Sequence, residues 1–120
     1  MKIIADYGIN KEGKKALVGY TFEADNAEEE NVLSSIRDYI FWGDDEKGTR
    51  PEYAGRYDNE ESGLVKGLMF EIPANMARCI SGELDTKNLS ERRKFHINNL
   101  SVYEKKNYQK FLNIERTNNE

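Results

Sequence analysis

The chain of 120 residues has one cysteine (Cys79), one histidine (His96), one tryptophan (Trp42) and two prolines. A lone cysteine excludes an intrachain disulfide, and with it the stapled core typical of small secreted domains. One His and one Cys leave carboxylates as the remaining metal ligands, and no spacing matches a zinc or calcium motif. No G-x-x-x-x-G-K-S/T loop, no G-x-G-x-x-G and no Ser in a nucleophile elbow occurs. The longest purely apolar run, Tyr39 to Trp42, falls far short of the ~20 residues that span a bilayer. Asp6 interrupts the apolar N-terminus, where a signal peptide needs about 7–15 uninterrupted apolar residues. These absences predict a cytoplasmic protein with no membrane association, no cofactor, no metal site, no catalytic residues and no enzymatic activity.

Charge is plentiful. Charged residues make up 33% of the chain and hydrophobic residues 38%, and 22 acids outweigh 18 bases to give a net charge of −4. Leu, Ile, Val and Phe number 26, just above the ~20% level below which disorder is the default, so one modest core can form. The charge is unevenly spread. Residues 1–86 carry 18 acids and 10 bases, net −8, whereas Lys87 to Arg116 carry eight bases and three acids, net +5.

Residues 2–9 alternate, with Ile3, Ala5, Tyr7 and Ile9 on one face, and residues 16–23 alternate with Ala16, Val18, Tyr20 and Phe22 on one face. With the polar turn Asn10 to Lys14 between them, this predicts a β-hairpin with one apolar side. Asp25 or Asn26, each with an acid three residues on, starts a helix over 26–41. Its apolar positions Val32, Leu33, Ile36 and Ile40 are expected on the hairpin, and Gly43 is expected to stop it. Residues 43–63 are polar and rich in breakers, with a short strand at 53–57. Alternation resumes over 64–72, ended by Pro73, and Asn75 is expected to cap a short helix closed by Gly82. Ser90 and Ser101 read as caps of helices over 91–98 and 102–114, with Leu100, Tyr103, Phe111 and Ile114 as the buried stripe. The fold class is α+β: a small single domain over 1–116, with an N-terminal hairpin in an antiparallel three- to four-stranded sheet. The helix over 26–41 covers it, further helices follow, and residues 117–120 fray.

Two surfaces carry functional readings. The acidic connection 43–63, following Trp42, holds Asp44, Asp45, Glu46, Arg50, Tyr53, Arg56 and Tyr57. Aromatics and Arg are enriched at protein interfaces, and clustered carboxylates steer basic partners. This predicts a protein-binding inhibitor or regulator of a basic or nucleic-acid-handling partner. The alternative is a nucleic-acid-associated module. Arg92, Arg93, Lys94, Lys105, Lys106 and Lys110 are interleaved with Phe95, Tyr103, Tyr108 and Phe111, which suits phosphate contact and base stacking. His96 lies in Glu91-Arg92-Arg93-Lys94-Phe95-His96, and a His with a nearby Arg and a carboxylate has the residue types for acid–base cleavage of RNA, a trio that chance supplies in a chain this long. The twelve Asn, the high Lys content and the two Pro are similar in composition to small proteins of bacteriophages and mobile elements. That similarity implies an inhibitor-type function and no particular site.

Overall fold

The computed structural model of the chain describes residues 1–42 and 54–118, with side chains through Tyr39 in the first stretch and through Thr117 in the second. In order, the elements are β1 (Lys2–Ile9), β2 (Lys15–Glu23), α1 (Ala27–Trp42), β3 (Ala54–Asp58), β4 (Val65–Glu71), α2 (Pro73–Ile80), α3 (Glu91–Asn98) and α4 (Val102–Asn118). The strands form one antiparallel sheet in the order β1-β2-β4-β3, an α+β arrangement with the expected N-terminal hairpin. The hairpin turns where Asn10 Oδ1 accepts the Glu12 and Lys14 N–H groups and Gly13 takes φ +80°, a conformation that glycine adopts without steric cost. The fold divides into two compact units, Met1–Ile4 with Tyr20–Phe70, and Ala5–Gly19 with Glu71–Glu120.

In the first unit, Ala24, Leu33, Val65 and Leu68 form a buried cluster, with Phe22 and Phe70 packed against it. The two phenylalanines meet edge to face at 5.8 Å, the arrangement that their ring quadrupoles favour. β3 pairs with β4 in the register Ala54 to Phe70, Arg56 to Leu68 and Tyr57 to Gly67, with an irregularity between Tyr57 and Asp58. The Tyr57 ring lies over Gly67, where a Cβ would collide with it.

In the second unit the buried face of β1 is the reverse of the one that hydrophobic alternation predicts. Asp6 and Gly8 are buried, and Ala5, Tyr7 and Ile9 are only half-buried. The reason lies in what packs there. Leu84 sits so close to Gly8 that a Cβ would meet its Cβ at 2.9 Å. Asp6 accepts from the backbone N–H of Ser90 at 2.6 Å and from Arg93 Nε at 3.2 Å. Arg93 is fully buried (0% exposed) and also reaches Glu71, Nη1 to Oε1 3.5 Å. His96 Nε2 also lies 2.7 Å from Glu71 Oε1, and Glu71 Oε2 accepts from the Tyr108 hydroxyl. Met76, Ala77, Leu89, Leu100 and Leu112 are also buried in this unit.

The last two helices start as expected. Ser90 Oγ accepts the Arg93 N–H, and Ser101 with Glu104 makes a reciprocal capping box at 3.1 Å in each direction. Two positions differ. α2 begins at Pro73, whose fixed φ and missing N–H suit the first helical turn, while the Asn75 amide donates to the Leu17 carbonyl at 2.7 Å. In α4 the buried residues are Tyr108 and Leu112, and Tyr103 and Ile114 are exposed.

Leu33→Ala is expected to cost about 2–5 kcal/mol through the cavity it leaves, whereas Ile36→Ala, 39% exposed, is expected to cost under about 1 kcal/mol. Arg93→Ala strands two buried carboxylates and is expected to cost about 3–5 kcal/mol, as breaking a buried ion pair does. Denaturant melts of the three variants check the order.

Candidate functional site

Helix α1 begins where Asn26 Oδ1 accepts the Glu29 N–H at 2.9 Å and Glu29 in turn accepts the Asp25 N–H at 2.8 Å. Glu28, Glu29 and Glu30 complement the positive end of the helix. The Met1 amine lies 2.8 Å from Asp25 and 2.7 Å from Glu29. Its hydrogen bonds hold both carboxyls below their usual range, and the amine itself is raised, by Asp25 first and then Glu29.

The rotation of α1 about its axis is set largely by polar contacts. Glu30 is buried and accepts from Asn59 Nδ2 at 3.0 Å and Ser62 Oγ at 2.9 Å. These two hydrogen bonds hold its carboxyl below the ordinary glutamate value. One turn later the Ser34 hydroxyl accepts the Val65 N–H at 2.9 Å. Leu33, 1% exposed, shares this inward face. Positions 30, 33, 34 and 37 therefore turn inward, and the helical period carries Val32, Ile36 and Tyr39 outward. They are 48%, 39% and 85% exposed. Glu28 and Asp38 are exposed on the same helix, and Asp38 is paired with Arg37 at 2.8 Å. The result is an apolar stripe with acidic residues beside it, on a helix anchored by its other side. This corrects the expectation that Val32 and Ile36 join Leu33 on the hairpin. Val32, Ile36 and Leu33 fall within an arc of about 100°, but the partners that Glu30 and Ser34 find turn the helix so that only the Leu33 edge of the arc goes in.

The other protein-binding candidates fare differently. Asp44, Asp45, Glu46, Arg50 and Tyr53, with the Trp42 side chain, lie outside the described residues. Arg56 is exposed in β3, its Nε 3.9 Å from Asp58. Tyr57 is half-buried, its hydroxyl donating to Glu23 at 2.6 Å, so it packs on its own unit.

Among the nucleic-acid candidates, Arg93 is withdrawn from the surface by Asp6 and Glu71, which corrects its expected place on a phosphate-facing patch. Lys94 pairs with Glu91 at 3.3 Å. Arg92 is exposed beside the Phe95 ring, 5.9 Å from its centroid, and Lys105, Lys106 and Lys110 are exposed on α4. His96 and Arg93 share one carboxylate, that of Glu71. Both oxygens of that carboxylate are engaged, and its side chain is buried. The geometry suits holding α3 and α4 in place rather than meeting a substrate.

A groove of about 530 Å³ is lined by Asn10, Lys11, Cys79, Glu83, Asp85 and neighbours. Burial pushes the Cys79 thiol up to about 11, so it stays protonated at neutral pH and is a poor nucleophile. Among the described residues, no three His, Cys, Asp or Glu side chains are placed to hold a metal ion, and no helix is long and apolar enough to cross a membrane. Comparison with protein-family models, curated proteins and solved structures finds no match.

The low carboxyl pKa of Glu30 implies a pH dependence with a definite sign. A group lowered by folding contributes its full stability above its unfolded pKa and loses it as pH falls through the folded value. Denaturant midpoints are therefore expected to fall as pH drops below about 5, and Glu30→Gln is expected to flatten that limb.

Proposed function

We propose that the protein is a protein-binding inhibitor or regulator that docks a basic partner through the outward face of α1. The observation that carries this reading is the exposure of Val32, Ile36 and Tyr39 on a helix whose opposite side is fixed by Leu33, Glu30 and Ser34. An ordered apolar stripe that stays in water gains free energy when a partner covers it, and Tyr is among the residues that dominate interface energetics. The unit bearing α1 is strongly acidic, with 13 acids against 6 bases, net −7. That field favours encounter with a cationic surface, such as the one a nucleic-acid-handling protein presents.

The test is affinity capture from nuclease-treated lysate of the source cells, followed by binding kinetics on the recovered partner. The wild-type chain is expected to retain a protein that Ile36→Glu/Tyr39→Glu does not, with both chains giving the same circular dichroism. Association is expected to slow as salt rises, because screening weakens electrostatic steering. Equal recovery by the double variant would overturn the assignment to α1.

A further inference from the structure

We infer that the outward face of α4 is a contact surface for single-stranded nucleic acid, independent of the α1 face. The argument begins with helical phase. At 3.6 residues per turn, Tyr103, Lys106, Lys110, Asn113 and Thr117 fall within an arc of about 80°, and all five are exposed. Tyr108 and Leu112, both buried, lie on the opposite side and fix which way this arc faces.

No carboxylate interrupts the arc. The two acids of the described α4 residues lie on its inner half and are engaged there. Glu104 closes the cap with Ser101, and Glu115 accepts from Arg78 Nη2 at 2.8 Å. Elsewhere in the same unit Arg78, Lys87, Arg93, Lys94 and Arg116 each pair with a carboxylate. Lys106 and Lys110 form no ion pair among the described residues. Their ammonium groups, one helical turn apart, are left to water and to whatever anion approaches.

The anion is specified by what accompanies the charge. Tyr103 is 73% exposed on this arc, offering an aromatic face next to the lysines. On α3 the exposed Phe95 ring has the Arg92 guanidinium 5.9 Å from its centroid. Aromatic faces beside cations are the combination that unpaired bases and their phosphates use, stacking supplying one term and counterion release the other. A duplex offers no free base face to a tyrosine. An anionic bilayer rewards a helix with a broad apolar side to insert, and the apolar side of α4 is already committed to Leu112 and Tyr108 in the core. The whole chain is acidic, net −4, so binding is expected to be modest and steep in salt.

Fluorescence anisotropy with short labelled oligouridylate and oligothymidylate tests the inference on the full chain. Binding to either strand at about 50 mM salt is expected, with log K falling linearly in log salt. In Lys106→Gln/Lys110→Gln the slope is expected to shrink by about 1.4, two phosphate contacts at ~0.7 each. Tyr103→Ala is expected to weaken binding about tenfold through lost stacking. Ile36→Glu, on the other surface, is expected to leave binding unchanged. All these sites are exposed, and circular dichroism verifies that the variants stay folded. Failure to bind at about 50 mM salt, an unchanged salt slope in the lysine variant, or binding to phosphatidylglycerol vesicles but to neither oligonucleotide would overturn it.

Discussion

Arg93 is a guanidinium with no access to water, and the second unit is organised around that fact. Taking an ion out of water costs several kcal/mol, and the attraction of a partner offsets this only with good geometry and with the remaining polar atoms satisfied. Asp6 supplies one carboxylate and Glu71 the other, from the first strand and from the end of the fourth. Each carboxylate then needs its own remaining donors. Ser90 gives two to Asp6, Tyr108 gives one to Glu71, and His96 Nε2 sits 2.7 Å from Glu71 Oε1. The entry to α3, its last turn and the middle of α4 are thereby positioned by one connected set of polar contacts. A network of this kind is worth more complete than in parts, because any group left unpaired in the interior is costly.

A smaller version of the same logic orients α1. Its apolar residues Val32, Leu33, Ile36 and Tyr39 fall within an arc of about 120°, a stripe of ordinary width for a core-facing helix, yet only Leu33 is buried. Glu30 and Ser34 take the inward side instead, by finding donors on Asn59, Ser62 and the Val65 backbone. Satisfying two polar side chains inward leaves Val32, Ile36 and Tyr39 outward, and on the proposed reading these are what a partner covers.

The two units differ in sign, net −7 for the one that bears α1 and net +3, with 12 bases against 9 acids, for the one that bears α4.

Secondary structure was largely legible from the residues. The hairpin, the strand before Pro73, the helix over 91–98 and the capping pair Ser101 and Glu104 all follow from signals a few residues long, namely alternation, helical period, caps and breakers. The charge asymmetry was legible too, but it grouped Arg93 with the exposed Lys105, Lys106 and Lys110. Which face of each element turns inward was not. Asp6 reads as the solvent side of a strand, and Arg93 as one more exposed base in a cationic run. Their partners lie 87 residues apart in the chain, and no local pattern encodes so distant a pairing. Val32 and Ile36 read as core for the same reason, because the side chains that displace them bind residues about 30 positions away. Local periodicity determined where the elements are. Which residues are buried and which remain available to a partner was decided only when tertiary contacts satisfied the polar groups, because burying an unpaired charge costs more than leaving a valine or an isoleucine in water.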